Sequence, residues 1–410
     1  MIIPTQIDIH TPGVWLANQS PAFRLLIATS WLAPEHLRIQ QEKSIRTACA
    51  AGVNWIEYLR LINRHRTPAL CWAALKRVAD LNIPDSIIRA LRSGSDDCHW
   101  LAMSHLQLLA TLLKTLSAAG IPALALKGPL LSLELYGDPC LRHSKDIDIE
   151  VPVEQIHDAC QALLRVGNRL NVDYTHLTPS QWKKLLRFEH HLDFIHPNGT
   201  LALELHWRHH WNLPGTTSDQ WANSHPVLWQ GCSYRALDPI DQILYLCSHG
   251  AEHLWFRAKW LGDIARIRAN NHINWLAAHD RARRTHQERP LLAALRLLEI
   301  VYDLPLPDLP ASVWRRLPPQ LVDAPLRSIS ATEEPMSVNT RTWIRNRTRA
   351  IHYNMLLFPR KTLTFRLAEL LYSRADFIQF PLSNNFFWAY APLRPIFWII
   401  RRTRPFRRQY

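Results

Sequence analysis

The strict alternation of acidic and aliphatic residues in DIDIEV, residues 146–151, limits the fold more than any other feature of the chain. A period of two residues is that of a β-strand, in which successive side chains point to opposite faces. Asp146, Asp148 and Glu150 therefore share one face of a strand, and the aliphatic residues between them anchor the other face. The chain must contain a sheet, and that sheet must accommodate clustered carboxylates.

Most of the remaining sequence has the periodicity of helices. Apolar residues recur at spacings of three and four from about residue 21 to residue 119, where Gly120 is placed to end the last helix. The same spacing returns in residues 239–302. The chain has only 12 Gly but 28 Pro, which favours helices ended by prolines over a β-sandwich or barrel. We therefore predict an α+β, mostly helical fold.

The sheet is predicted within a short part of the chain. Besides DIDIEV, residues 121–126 form a short apolar run, and residues 190–206 contain two alternating segments joined by a Pro-Asn-Gly turn. The expected organisation has four parts. These are a helical N-terminal region (1–119), a small α/β core (120–212), a helical C-terminal region (213–335) and a basic, aromatic-rich tail (336–410).

The carboxylates of the predicted strand need a counter-charge. Adjacent carboxylates repel one another unless a cation or a shared proton lies between them. Mg²⁺ suits this pattern, because it binds one or two carboxylates together with substrate phosphates. Glu204, in the alternating segment LALELHW, becomes a third carboxylate if the two strands are neighbours. The alternative is a strand face on which solvated acids bind nothing.

A candidate phosphate site precedes the acidic strand. The apolar run of residues 121–126 turns through Lys127, Gly128 and Pro129 into a helix, whose first N–H groups and dipole favour an anion. Lys127, Arg142 and Lys145 place cations around this turn and the following loop. Phosphate would be the natural ligand of such a loop.

The segments LKGPLLSLELYGDPCLRHSKDIDIEV and LALELHW resemble the uncharacterised nucleotidyltransferase family of the polymerase-beta-like superfamily. The resemblance covers about residues 20–275 and places Gly128 in the phosphate turn. The superfamily usually has Gly-Ser or Gly-Gly there, whereas this chain has Lys-Gly-Pro, so Lys127 or Arg142 would substitute for the serine hydroxyl. Further matches lie in the helical region that follows the core: His249, His253, Trp260 and Asp263.

The resemblance implies a polymerase-beta-like α/β core flanked by helical regions and a Mg²⁺-dependent transfer, with Mn²⁺ as the alternative ion. A nucleoside monophosphate would pass from a nucleoside triphosphate to a hydroxyl or phosphate acceptor on a protein, an RNA or a small molecule. Asp146 and Asp148 would bind the metal ions, and Glu204 would bind metal or accept the acceptor's proton. The residues expected to bind nucleotide phosphates are Lys127, Gly128, Arg142 and Lys145.

Several other residues are candidates for lining the site. His206 shares a strand face with Glu204, and the helical region contributes His249, His253, Lys259 and Asp263. His249, Glu252 and His253 also have the H-x-x-E-H spacing of inverted zinc metallopeptidases. A chain with 21 His produces such spacing easily by chance, so a helix that packs in or lines the core is the favoured interpretation.

The C-terminal tail carries most of the net charge. Residues 341–410 have 14 Lys or Arg against 2 Asp or Glu, which accounts for +12 of the total of +14. The apolar stretch within residues 386–400 is interrupted by Arg394 and two prolines, so it is too short to span a membrane. Aromatics flanked by arginines suit a membrane surface, packing on the core or contact with nucleic acid. The alternative function is a catalytically silent protein that binds membrane or nucleic acid through residues 386–410.

The seven cysteines and the N-terminus indicate where the chain resides. The cysteines are scattered and form no C-x-x-C pair, which argues against a disulfide framework or a zinc ribbon. The first residues lack the basic and apolar regions of a signal peptide. We expect a cytoplasmic protein, peripheral to the inner face of the membrane if the tail binds lipid.

Overall fold

The computed structural model describes most of the chain as two compact units. The described residues are 11–172, 174, 177–197, 199, 202–209, 218–229, 231–270, 272–331, 340–358 and 371–403. The first unit comprises the described parts of Met1–Gln107, Lys127–Ser144 and Leu237–Phe358. The second comprises those of Leu108–Leu126, Lys145–Ala236 and Pro359–Tyr410. Each unit is therefore assembled from three separate stretches of sequence.

The first unit consists of helices. In chain order its helices are α1 (Val14–Ala17), α2 (Pro21–Thr29), α3 (Arg38–Ala50), α4 (Trp55–His65), α5 (Pro68–Lys76), the first part of α6 (Asp85–Ala118), α7 (Pro129–Tyr136), α11 (Pro239–Glu252), α12 (Ala258–Asn270), α13 (Trp275–Arg284), α14 (Glu288–Tyr302), α15 (Ala311–Trp314), α16 (Gln320–Ser330) and α17 (Thr340–Leu357). Prolines stand at the first turn of α2, α5, α7 and α11, where a missing N–H costs nothing.

Helix α2 is at the centre of the first unit. It contacts α3, α4, α5 and α14, and Leu25 and Leu26 are fully buried. The Ser30 hydroxyl at its end is 2.8 Å from the Tyr302 hydroxyl of α14. The approach of α12 is so close that a Cβ on Gly262 would lie 2.8 Å from the Ser30 carbonyl oxygen. These contacts tie together helices that are distant in sequence.

The second unit contains a seven-stranded mixed sheet. Its strands are β1 (Leu124–Ala125), β2 (Asp146–Glu150), β3 (Arg169–Leu170), β4 (His191–Ile195), β5 (Ala202–His206), β6 (His225–Trp229) and β7 (Cys232–Ala236), in the spatial order β3-β4-β5-β2-β1-β7-β6. The helices of this unit are the end of α6, α8 (Ile156–Arg165), α9 (Pro179–Phe188), α10 (Ser218–Asn223), α18 (Arg374–Gln379) and α19 (Tyr390–Thr403).

Strand β2 lies at the centre of this sheet. It pairs with β5 in parallel and with β1 antiparallel, and β5 in turn pairs antiparallel with β4. The aliphatic residues Ile147 and Ile149 are buried, but so are Asp148 and Glu150 from the opposite face. Burial of both faces excludes the alternative in which these two acids are solvated on an open strand.

The structure confirms the predicted fold class and several predicted elements. The chain is mostly helical with a mixed sheet, DIDIE is a strand, and the two segments around the predicted turn pair antiparallel. Asn198 of that turn lies outside the described residues. The sheet also extends past residue 212, because β6 and β7 continue to Ala236. The division into four parts stays a prediction.

The predicted tail is divided between the two units, because α17 belongs to the first and residues 371–403 pack within the second. Tyr390 is fully buried, and its hydroxyl accepts from the Leu382 N–H at 2.9 Å and donates to the Phe380 carbonyl oxygen at 2.8 Å. The Gln181 side chain of α9 donates to the Leu382 carbonyl oxygen at 2.6 Å. Among the described residues, no helix is long and apolar enough to cross a membrane. The remaining stretches of the predicted tail, 336–339, 359–370 and 404–410, lie outside those residues.

Candidate active site

Three acidic residues occupy one row across adjacent strands of the sheet. In the strand register, Asp148 of β2 is opposite Glu204 of β5, and Glu204 is opposite Asp193 of β4. Paired positions on neighbouring strands project to the same face. We call Asp148, Glu204 and Asp193 the carboxylate row. It confirms the expectation that β2 and the strand of Glu204 are neighbours.

A row of imidazoles lies beside the carboxylate row. His206 of β5 is paired with Glu150 of β2 and with His191 of β4. Its Nε2 is 3.3 Å from the Asp148 Oδ1 and 3.2 Å from the Glu204 Oε2. The His191 Nε2 is 3.2 Å from the Asp193 Oδ1. Each imidazole therefore lies against members of the carboxylate row.

The proton on His206 helps to balance the negative charge. Burial alone would lower the pKa of this imidazole, but its hydrogen bonds and charge interactions with Asp148 and Glu204 raise that pKa to about 9. Without a bound metal, an imidazolium therefore stands between the two carboxylates at neutral pH. A positive charge is favoured at this position, as the sequence pattern predicted.

Glu150 lies in a different environment from the other acids of β2. Its side chain is fully buried, and burial raises its pKa to about 8. The His209 Nε2 lies 3.3 Å from the Glu150 Oε2. Asp146, at the start of β2, is half-buried instead and pairs in register with Ala202. Glu150 is thus largely protonated at neutral pH and is a weaker candidate for binding a cation.

The donor atoms of this face fit a divalent metal ion. Asp148, Glu204 and His206 present one ligand atom each within 4.8 Å of one another. Asp148 and His206 are buried, whereas about a quarter of the Glu204 side chain is exposed. Two carboxylate oxygens and an imidazole nitrogen suit Mn²⁺ and related ions, and the carboxylates alone suit Mg²⁺. The residues therefore fit the metal that the resemblance implied, and they add a nitrogen donor.

The predicted phosphate turn lies at the start of α7 in the first unit. Gly128 has φ 78° and ψ −147°, a backbone conformation that is strained for every residue except glycine. Helix α7 begins at the next residue. Lys127 is half-buried, with its Nζ 6.0 Å from the Tyr245 ring centre. Lys145 is exposed in the second unit. Binding of phosphate by these residues stays a prediction.

Two other predicted residues form a buried ion pair in the first unit. The Arg142 Nε donates to the Asp263 Oδ2 at 2.8 Å, and both side chains are almost completely buried. Lys259 is buried nearby and donates to the His143 carbonyl oxygen at 2.8 Å. Burial and the Lys259 ammonium lower the pKa of His143 to about 3. Arg142 thus has a carboxylate partner, and its predicted contact with phosphate is untested.

His249 and His253 belong to an aromatic cluster of the first unit. The His253 ring is stacked on Trp260 with centres 5.2 Å apart, and His249 meets the same indole edge-on at 5.2 Å. Phe256 completes the cluster 4.9 Å from Trp260. Among the described residues, neither histidine belongs to a group of three donors spaced to hold a metal. The favoured interpretation of H-x-x-E-H, a packing or lining role, agrees with this arrangement.

The sequence interpretation missed two residues on the sheet face that bears the carboxylate row, His191 and Asp193. Both are half-buried on β4, in the alternating segment HLDFI. Asp193 lies between buried Leu192 and Phe194, which is the same pattern that pointed to Glu204. The signal was present, but its meaning depends on β4 pairing with β5 in this register.

Comparison with known proteins agrees with the geometry. Residues 51–303 match a protein family described as "Uncharacterised nucleotidyltransferase". No curated protein and no solved structure matches the chain. The matched region includes β2, β4 and β5, and therefore every member of the carboxylate row. Because the match covers more than half of the chain, the protein belongs to this uncharacterised nucleotidyltransferase family and is a nucleotidyltransferase.

Proposed function

We propose that the protein moves a nucleoside monophosphate from a nucleoside triphosphate to a hydroxyl or phosphate acceptor, using Mg²⁺ and a polymerase-beta-like core. The main support is the pairing of Asp148 with Glu204 on parallel strands, with the His206 Nε2 within 3.3 Å of both carboxylates. Burying carboxylates without a cation costs folding free energy, so packing alone does not explain this cluster.

The residues of β2 and β5 have separate tasks in this proposal. Asp146 and Asp148 hold the metal ions, and Asp148 is fixed by burial and by the His206 imidazole. Glu204 retains an exposed fraction, so it can reach an acceptor and take its proton as well as bind metal. A divalent ion bound there would stabilise the charge that develops on the phosphoryl oxygens.

Binding of the phosphates is assigned on the sequence pattern. Lys127, Gly128 and Lys145 retain their proposed roles, because a Gly-containing turn before a helix presents backbone N–H groups and lysines add charge. Arg142 is also proposed, although its guanidinium already pairs with Asp263. The aromatic cluster of Trp260 and His253 is exposed enough to stack on a base.

The metal-dependent step can be tested by calorimetric titration of each nucleoside triphosphate with Mg²⁺ into the full chain. Asp148→Asn keeps the size of the side chain but removes its charge. We expect the variant to bind the nucleotide at least about tenfold more weakly, because a ligand to the metal is weakened. The nucleotide bound by the unmodified protein would identify the donor and permit a search for labelled acceptors.

Asp158→Asn is the matched control, because Asp158 is an exposed aspartate on α8 of the same unit. It should bind nucleotide as the unmodified chain does. Thermal unfolding of both variants would show whether they are folded. Equal Mg²⁺-dependent affinity in folded Asp148→Asn and Asp158→Asn would contradict the proposal.

The tail supplies a second proposal, a contact with the membrane surface. Phe386, Trp388 and Trp398 are exposed in a segment that is rich in arginine. Exposed aromatics beside cations suit the headgroup region of an anionic membrane. The protein would then be cytoplasmic and peripheral to the inner face of the membrane.

A further inference from the structure

Strand β4 carries donor atoms that the proposed reaction does not use. His191 and Asp193 point to the same face as Glu204, and these three side chains present ligand atoms within 4.8 Å of one another. They are half-buried, with 17% of the His191 side chain and 30% of the Asp193 side chain exposed. An ion from solvent can therefore reach them.

The members of the carboxylate row face one another across neighbouring strands. Like charges directly opposite each other on neighbouring strands are destabilising, and here the contact occurs twice, between Asp148 and Glu204 and between Glu204 and Asp193. The His206 Nε2 lies between the first two carboxylates, and the His191 Nε2 lies beside Asp193. A divalent ion between Glu204 and Asp193 would relieve the repulsion of the second pair, and the His191 nitrogen lies beside that position.

The donors on this side are richer in imidazole than those near Asp148, because ligand atoms of His190, His191 and His206 also lie within 4.8 Å of one another. The His191 Nε2 is 3.2 Å from the Asp193 Oδ1, and the His191 ring lies 5.0 Å from the His206 ring. His190 is also close, with its ring centre 4.3 Å from that of His191. Imidazole nitrogens favour first-row transition metals, whereas Mg²⁺ prefers oxygen atoms and water.

We propose that β4 completes a second cation position, in which His191, Asp193 and Glu204 bind a divalent transition metal in preference to Mg²⁺. Glu204 lies between the two positions and contributes an oxygen to each. In the absence of nucleotide phosphates, which would complete the binding of further Mg²⁺ at Asp146 and Asp148, the face then binds two unlike ions, one near Asp148 and one near His191. This inference rests on the proposed function only for the ion near Asp148, because the β4 position needs no nucleotide.

Mn²⁺ alone is the probe, because the electron paramagnetic resonance signal of free Mn²⁺ reports how much is bound. Titration of the metal-free full chain should show two sites, and excess Mg²⁺ should empty one and leave the other filled. His191→Ala should lose the Mg²⁺-resistant site, with its affinity for Mn²⁺ reduced at least about tenfold. Asp148→Asn should weaken the other site.

His225→Ala is the matched control, since His225 is an exposed histidine on β6 of the same sheet. It should leave both sites intact. His191→Asn, a smaller change, should also lose the Mg²⁺-resistant site and guards against misfolding of the alanine variant. Unchanged Mn²⁺ binding by folded His191→Asn, or displacement of every bound Mn²⁺ by Mg²⁺, would overturn the inference.

The result is separable from the test of nucleotide transfer. If nucleotide fails to bind but two unequal Mn²⁺ sites are found and the second depends on His191, the proposed donor is wrong and the β4 site stands. If Mg²⁺-dependent nucleotide binding is found but there is a single Mn²⁺ site that is unaffected by His191→Ala, the proposed donor stands and the β4 site is wrong.

Discussion

His206 is the residue that controls the charge of the candidate site in the absence of metal. Its imidazole is buried against Asp148 and Glu204, whose negative charges keep it protonated to a pH of about 9. The pKa of Glu150, its register partner on β2, is also raised, because burial keeps that carboxyl neutral up to a pH of about 8. Both shifts make the folded state bind protons more tightly than the unfolded chain.

Stability of the metal-free protein should therefore fall as the pH rises. The folded pKa of His206 exceeds its unfolded value, so its contribution is fully present below about pH 6.5 and is lost as the pH rises through 9. The unfolded chain ionises Glu150 from about pH 4.5, whereas the folded protein does so at about pH 8. The loss due to His206 should approach about 3 kcal/mol, and denaturant unfolding in a chelator would measure it.

Two variants separate these contributions. Glu150→Gln should reduce the fall in unfolding free energy between pH 5 and 6, where His206 is protonated in both the folded and the unfolded state. The fall between pH 8 and 9 should remain. Adding His206→Gln to the Glu150→Gln background should remove the decline between pH 8 and 9; the double variant is needed because the His206 charge lowers the pKa of Glu150. In the Glu150→Gln background, an unfolding free energy that falls equally steeply between pH 8 and 9 with and without His206 would show that this imidazole is not held protonated.

The sequence alone was sufficient to predict the acidic residues that share a face within a single strand. Asp146 and Asp148 share a face because of the alternation, and Glu204 could be added on the condition that its strand is a neighbour. Asp193 and His191 required the pairing of a third strand in a defined register. That register is set by the packing of the whole sheet, which a local pattern does not contain.

At the scale of elements, the end of α11 is a constrained point of the first unit. Trp255 is completely buried and packs directly on Gly250, where an added Cβ would lie 2.3 Å from the indole ring. The chain reaches this position through Leu254 and Trp255, which both have a positive φ. Gly250 is therefore needed for space, although alanine would favour the helix by about 1 kcal/mol.

Gly250→Ala should destabilise the protein by roughly 1–3 kcal/mol, because the new methyl group overpacks a rigid contact. Chemical denaturation would give the change in unfolding free energy. Trp255→Phe shortens the ring that causes the clash, so adding Gly250→Ala to that background should cost clearly less. Equal costs in both backgrounds would show that the indole is not what excludes a side chain at residue 250.

The elements that sequence predicted best are those with strong periodicity and clear ends. Helix α11 begins after Asp238, which accepts from two backbone N–H groups, and Pro239 occupies its first turn. Strands β6 and β7 were not predicted, because β6 is an edge strand with a proline and little burial. Strand β1 was found only as an apolar run, since just two of its residues pair. Short or edge strands depend on their neighbours.

At the scale of the whole molecule, the uneven distribution of charge sets the C-terminal tail apart. Residues 341–410 hold a net charge of +12, yet part of that charge is used inside the second unit. Asp376 is buried and pairs with Arg394 at 2.9 Å and with Arg401 at 2.6 Å. These arginines anchor the tail, while Phe386 and Trp388 remain 59% and 65% exposed. The surface aromatics are therefore presented by a segment that is itself packed.

This arrangement changes how the membrane proposal should be tested. Deleting residues 386–410 would remove the buried Tyr390 and damage the second unit, so point substitutions are preferable. Phe386→Ser with Trp388→Ser should weaken sedimentation with anionic phospholipid vesicles by at least about fivefold, because two apolar rings no longer enter the headgroup region. Binding should also weaken at high salt and with zwitterionic vesicles, since arginines supply the attraction.

Trp100→Ser is the control for this experiment, because Trp100 is 72% exposed on α6 and lies outside the tail. It should sediment with vesicles as the unmodified chain does. A double variant that binds vesicles as well as the Trp100→Ser protein would remove the tail aromatics from membrane contact. If that variant instead loses affinity for a short RNA, the exposed rings stack on bases and the tail positions the enzyme on nucleic acid.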